Sequence, residues 1–231
     1  MEVLSVDSGL GLTSGKYALL VSRFVPENTV DEFLEAASVI AEKHDVVLVG
    51  SSGYGGELDA KAEKLAAENT RVRWLGHVHD DQQLFALWRH AGAYFHGHSV
   101  GGTNPALVQA MACGAPTVAR DTVFNREVLG DNAVFVPPTA PEIAAAVTAL
   151  LEAPTVQQRL GAGAEERARH HYSWDSICEQ YDTLLRRHLP REITGPRISA
   201  VGSGTTPRSH PVRTRVTADR PAVGAPTATA L

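Results

Sequence analysis

The sequence predicts an α/β fold: a doubly wound, mostly parallel sheet covered by helices on both faces. Three observations carry this. Runs such as Tyr17 to Val21 and Val46 to Val49 are apolar throughout, as strands buried on both faces are. Between such runs lie longer segments whose apolar residues recur at helical spacing. Strand and helix then alternate along the chain, the order expected of parallel strands joined by crossover helices.

Tyr17 to Val21 is the first strand. Val30 to Lys43 follows as a helix, with Val30, Phe33, Leu34, Ala37 and Ala41 on one stripe. Thr29 and Glu32 read as a capping box at its start. After the strand Val46 to Val49 comes a charged helix, Leu58 to Glu68, with Leu58, Ala62 and Leu65 inward. Val72 to Leu75 is a strand ending at Gly76; Leu84, Leu87, Trp88 and Ala91 mark a helix; Ala93 to His96 is a strand. Pro105 to Cys113 is a helix stopped by Gly114, a residue suited to a C-terminal cap. Thr117 to Ala119 and Ala133 to Val136 are short strands. A helix starting near Thr139 carries Ile143, Val147, Leu150 and Leu151, and Gln157 to His170 and Trp174 to His188 close the body. Trp74, Trp88 and Trp174 fall on stripes that read as core-facing.

From Pro190 onward Pro, Gly, Ser, Thr and Arg dominate, and apolar residues lose any period. Such a segment buries too little surface to offset its ordering entropy, so residues 190–231 read as a disordered tail. Six arginines against Glu192 and Asp219 give that tail +4, leaving −9 on the rest of a chain whose net charge is −5. An acidic body argues against a nucleic-acid binder. Cys113 and Cys178 both fall in helices and read as reduced and structural. No segment approaches the ~18 apolar residues of a membrane span, and Met1 to Asp7 lacks a signal-like pattern. A cytoplasmic location is expected, with a peripheral place at the inner membrane face as the alternative.

Two places look able to carry chemistry, both at carboxyl ends of strands, where doubly wound sheets bind ligands. The first is Phe95 to Gly114, a strand passing through a glycine-bearing loop into a helix. Asn104 suits the N-cap and Pro105 the first helical turn. Gly101 and Gly102 allow close approach of backbone to ligand. The free N–H groups and helix dipole would favour an anion or sugar hydroxyls; a plain tight turn is the alternative. The second is Ser22 to Thr29, where Arg23 ends the first strand. Its planar fork suits phosphate oxygens or a structural ion pair. His96 with His98, and His77 with His79, share spacings that could place each pair on one side, but neither has a third ligand at zinc spacing, so no metal is expected. Gly53, Gly55 and Gly56 follow the second strand and not the first, which weighs against a dinucleotide fingerprint and a nicotinamide-dependent oxidoreductase.

Together these pieces resemble the group 1 (family 4) glycosyltransferases of the GT-B type, in their C-terminal, donor-binding domain. Ser22-Arg23-Phe24 is similar to the family's Gly-Arg-Leu, and Gly101-Gly102-Thr103-Asn104 to its Glu-Gly-Phe-Gly loop. Gln109 to Pro116 resembles its Glu-Ala-Met-Ala-Cys-Gly-x-Pro. Trp74 to Val78, Asn125 to Gly130 and Tyr172 to Asp175 match further motifs in order, so the resemblance covers roughly Tyr17 to Leu189. Pro26-Glu27-Asn28 and the His96 to Pro105 run resemble a rhamnosyltransferase-like subgroup.

The resemblance implies one Rossmann-like half of a GT-B fold over residues 17–189, preceded by a leader (1–16) from an inter-domain junction. It implies retaining, metal-independent transfer from a UDP- or dTDP-linked sugar, with no cofactor. Arg23 would hold the leaving diphosphate. Asn28, Gly76, His98, Gly101, Gly102, Thr103, Asn104, Gln109 and Glu127 would bind the donor, with Gln109 at the ribose and Leu75 to Val78 near the base. Glu127 could instead cap the segment after Asp121. Asn28 replaces a diphosphate-binding Lys, and Gly101 and Gln109 replace a pair of Glu residues. The neutral amide of Gln109 should cost about 1 kcal/mol, roughly fivefold in affinity. The acceptor is expected to be a glycan, a lipid-linked molecule or a small molecule, bound by a separate acceptor-domain polypeptide, since the match begins about sixteen residues after Met1. A non-catalytic nucleotide-sugar-binding module, or a truncated remnant, is the alternative.

Overall fold

The computed structural model describes residues 10–188. β1 (Tyr17–Val21) leads through a 3-10 turn at Pro26–Asn28 into α1 (Val30–Ile40). Then come β2 (Asp45–Val49), α2 (Glu57–Glu68), β3 (Val72–Trp74), α3 (Asp81–His90) and β4 (Ala93–His96). The second half runs α4 (Pro105–Ala112), β5 (Thr117–Arg120), α5 (Val123–Leu129), β6 (Ala133–Val136), α6 (Ala140–Leu151), α7 (Pro154–His171) and α8 (Trp174–His188). The strands form one sheet in the order β3-β2-β1-β4-β5-β6, and every pairing is parallel. The doubly wound fold read from the sequence is therefore the fold observed. Segment 190–231, expected to be disordered, lies outside the described residues.

Strand alternation divides the core between the two faces of the sheet. Ala18, Leu20, Val46 and Leu48 face the layer that holds α1, α2 and α6. Tyr17, Leu19, Val47 and Val49 face the layer of Leu87, Trp88, Leu107, Met111 and Ala164 from α3, α4 and α7. Trp88 is fully buried edge-on to Tyr94. Leu12, from the segment before β1, is buried in the same layer, and Gln157 of α7 donates to the carbonyl of Gly15.

Three local expectations are corrected, and one helix is added. Thr29 does not form a capping box: it adopts φ 56°, and its hydroxyl donates to the carbonyl of Gly97 at 2.6 Å while accepting from Arg120. A partner distant in sequence outcompetes the local cap. Trp174 is 79 % exposed, because α8 buries none of its residues among those described. Cys178 is exposed as well, whereas Cys113 is half-buried with its thiol pushed up to about 11 by burial. Finally, Val123–Leu129 is a helix, capped by Thr122 accepting from the amide of Asn125.

Thr29 is thus a buried tie between β1, β4 and β5. Replacing it with Val keeps the shape but leaves the Arg120 guanidinium without this partner. Thr29→Val is expected to lower unfolding free energy by about 1–3 kcal/mol, read from urea denaturation; a change below about 0.5 kcal/mol would show the tie to be dispensable.

Candidate functional site

The sheet winds outward in opposite directions from β1 and β4, so the loops leaving these two strands part and open a crevice at their carboxyl ends. Backbone bonds fix the floor of that crevice. The β1 exit continues the ladder to the β2 exit, with Ser22 donating to Val49 at 3.0 Å and Phe24 to Ser51 at 3.1 Å. Gly50 donates to Gly76 at 2.7 Å, joining the β2 and β3 exits. Across the crevice, the amide of Ser99 donates to Glu27 at 2.9 Å. Gly97 is held so close that an added Cβ would lie 2.3 Å from the carbonyl oxygen of Asn28.

The result is a cleft of about 890 Å³, within the range of small-molecule sites. Arg23, Asn28, His98, Asn104 and Gln109, all expected from the sequence, line it together. The Arg23 side chain is exposed and makes no salt bridge with any described residue, so the ion-pair alternative is not what the structure holds. Its carbonyl accepts from the Asn28 amide, the Ser22 hydroxyl and the Val25 N–H, which sets the path of the loop. Asn28 is buried, and its amide nitrogen is directed to that backbone.

Asn104 caps α4, accepting from the amide of Ala106 at 2.9 Å and, more weakly, of Leu107 at 3.4 Å. Because Pro105 has no N–H, the cap engages the first-turn donors that the sequence reading left for a ligand. The preceding amides, residues 101–104, have no described hydrogen-bond partner.

Gly101, Gly102 and Thr103 are exposed between Val100 and Asn104, which line the cleft, but are not themselves part of its wall. Gly101 has φ 118°, and nothing lies within 4 Å of a Cβ built on Gly102, so this loop is open above the site. Gly76 adjoins the lining residues His77 and Val78, which with Leu84 form the less polar end. Glu127 is exposed on α5 and does not line the cleft; its carbonyl accepts from Arg167. Glu27 and Ser51 also line the cleft; Glu27 belongs to the Pro26-Glu27-Asn28 motif but has no expected contact, and Ser51 has no sequence motif. For Ser51 the one signal is position, just beyond a strand's carboxyl end.

Asp59 organises the loop after β2. Its carboxylate accepts from the backbone and side chain of Ser52 and from the amide of Gly56. Burial opposes ionisation, but these bonds outweigh it and hold the carboxyl below its usual range.

His96 and His98 stack with ring centroids 4.4 Å apart. Burial drives the His96 pKa well below its ordinary value, and the neighbouring His98 adds to this. Burial also lowers His98, assisted by the Arg23 charge. Both rings are therefore neutral at pH 7. The His96 Nδ1 pairs with the Tyr94 hydroxyl, whereas His96 Nε2 and His98 Nδ1 are buried without a described partner. Among the described residues no cluster of three or more His, Cys, Asp or Glu could hold a metal ion.

This pair gives the fold a pH dependence. The unfolded chain takes up protons near pH 6.5 while the folded chain does not, so stability is full above that pH and falls as pH drops through and below it. The expected slope from His96 approaches ~1.4 kcal/mol per pH unit. Urea midpoints between pH 7.5 and 5 should show it, and His96→Gln should flatten it; an unchanged slope in that variant would place the acid sensitivity elsewhere.

Comparison with known proteins bears on what such a cleft does. Residues 9–167 match the family model described as "Glycosyl transferases group 1". The chain is 31 % identical over 180 residues to a phosphatidyl-myo-inositol mannosyltransferase of Mycobacterium leprae, covering 74 % of this chain and 47 % of that protein. It thus spans about half the length of the curated relatives it matches. Among solved structures it is similar to a sucrose-phosphate synthase from Thermosynechococcus elongatus (TM-score 0.67, 24 % identity, 79 % of this chain and 48 % of that one). It is also similar to the Anabaena protein HepE, solved with UDP and glucose (TM-score 0.65, 23 % identity, 77 % of this chain and 49 % of that one). At those identities the structural likeness speaks for the fold alone. No described helix is long and apolar enough to cross a membrane. With the family model matching well over half of its residues, the chain belongs to the group 1 glycosyl transferases.

Proposed function

We propose that this chain is the donor-binding half of a group 1 glycosyltransferase and grips the diphosphate of a nucleoside-diphosphate sugar in the cleft beside Arg23. The observation that carries the reading is a guanidinium without a described carboxylate partner, in the same cleft as the Asn104-capped end of α4, at the point where the sheet reverses its winding. A cation and a helix N-terminus converging on one space suit a doubly charged anion. As the sugar–phosphate bond breaks, negative charge grows on the leaving diphosphate, and the Arg23 charge and the loop amides stabilise it. Gln109 meets the ribose hydroxyls, and the end formed by His77, Val78 and Leu84 holds the base. His98, neutral, can accept or donate a hydrogen bond at the sugar end. Gly76, Gly101, Gly102 and Thr103 contribute backbone.

In this reading transfer is retaining and metal-independent, the donor is UDP- or dTDP-linked, and the variant motifs belong to a rhamnosyltransferase-like subgroup. The acceptor is bound by a second domain. A non-catalytic nucleotide-sugar-binding module is the second reading. It is favoured by Asn28, whose amide nitrogen is directed to the Arg23 carbonyl where the resembling family uses a charged Lys.

The two readings separate in one assay. The protein is incubated with a panel of nucleotide sugars, with and without an acceptor-half polypeptide, and nucleoside diphosphate release is followed. Release only with the partner supports the enzyme. Binding without release under both conditions supports the module, and no binding removes both.

A further inference from the structure

Among the described residues lining the cleft, Glu27 is the one carboxylate, and it lies four positions from Arg23, the one side chain there with a permanent positive charge. It is exposed and makes no salt bridge with any described residue. Its backbone is nevertheless fixed. It sits in the 3-10 turn Pro26–Asn28, its carbonyl accepts from Ser99, and the flanking Thr29 and Asn28 are tied to Gly97 and Arg23. A carboxylate held beside a phosphate-binding arginine would repel the diphosphate unless it serves a neighbouring group that donates hydrogen bonds. Hydroxyls are that group, since an ionised carboxylate can only accept. The sugar is attached directly to the diphosphate, and Glu27 lines the same cleft as Arg23. The loop after β4 has glycine at positions 101 and 102 and offers no side chain there.

Resting on the donor-binding reading above, we propose that Glu27 is a specificity-determining residue that accepts a hydrogen bond from a hydroxyl of the transferred sugar and selects uncharged, hydroxyl-bearing sugars. The base and diphosphate contribute one part of the affinity through Arg23. Glu27 contributes the separate increment by which a hexose conjugate exceeds its bare nucleoside diphosphate.

The test measures that increment by calorimetry on the full chain. UDP, dTDP, GDP and ADP and the glucose or mannose conjugate of each are titrated, and the increment is taken for whichever diphosphate binds most tightly. If none of the four nor any of their hexose conjugates binds wild type, the donor-binding reading itself fails. With that reading intact, Glu27→Ala is expected to reduce the ratio of hexose-conjugate to bare-diphosphate affinity about tenfold, with Glu27→Gln in between, and neither weakens the bare diphosphate. A ratio unchanged in Glu27→Ala, or a wild type in which the hexose adds nothing to the bare diphosphate, overturns the proposal while leaving the diphosphate site standing.

Discussion

Replacing Arg23 with alanine is expected to weaken nucleoside diphosphate binding by about 30-fold and to slow any transfer by roughly 100-fold or more, while leaving the fold intact. The binding figure follows from removing a charge-assisted, two-pronged contact, about 2 kcal/mol. The rate figure is larger because charge on the diphosphate increases in the transition state, where a neighbouring cation acts most. Stability should be nearly unchanged, since the side chain is exposed and unpaired among the described residues. Arg23→Lys should fall between, keeping the charge and losing the fork. A built-in control exists: the Arg23 charge helps lower the His98 pKa, so Arg23→Ala should shift His98 titration upward in NMR spectra. If His98 shifts and diphosphate affinity does not change, Arg23 is near the site but not its anchor.

The second large effect is on the scaffold. Gly50 has φ 120°, and a Cβ there would lie 1.7 Å from the carbonyl oxygen of Ser22. That carbonyl belongs to the β1 exit next to Arg23, so Gly50→Ala must push apart the strand ends that form the cleft floor. Overpacking and a strained backbone each cost about 1–3 kcal/mol, together about 3–5 kcal/mol, a large fraction of a typical domain's 5–15 kcal/mol. The expected result is a markedly lowered urea midpoint, with loss of ligand binding in any fraction that folds. Gly102→Ala is the matched control, because open space surrounds that position and little stability should be lost. Equal stability for the two variants would show that the Ser22–Gly50 contact does not constrain the floor.

Much of this architecture was legible in the sequence for a physical reason. Strands such as Tyr17–Val21 and Ala93–His96 are buried on both faces, so their whole length must be apolar or internally paired, and their limits coincide with those observed. The Asn104-Pro105 start and Gly114 stop of α4 were equally readable, because capping is a local matter; Gly114 indeed has φ 70°. What failed depended on partners far along the chain. Thr29 had the local credentials of a cap, but Gly97 and Arg120 claim its hydroxyl. Trp174 sits on an apolar stripe, yet a stripe shows only that a helix could be covered, and α8 is not covered by the described residues. α5 was missed because its exposed Val123 and Phe124 break the helical pattern that its buried Val128 and Leu129 would otherwise show.

The site divided along the same line. Arg23, Asn28, His98, Asn104 and Gln109 stand at strand ends or a helix start, and the structure brings them to one cleft. Glu127 matched a motif but sits on α5, outside the cleft wall, whereas Glu27 lay in a matched motif with no expected contact and lines the cleft where bonds tie the β1 and β4 exits together.

The most direct measurement is a crystal structure of the protein grown with the nucleoside diphosphate that binds it most tightly. The expected result places the diphosphate oxygens within hydrogen-bonding distance of the Arg23 guanidinium and the amides between Gly102 and Asn104, with the base toward His77 and Val78. A diphosphate seated at any other rim of the sheet, with Arg23 turned to solvent, would contradict it.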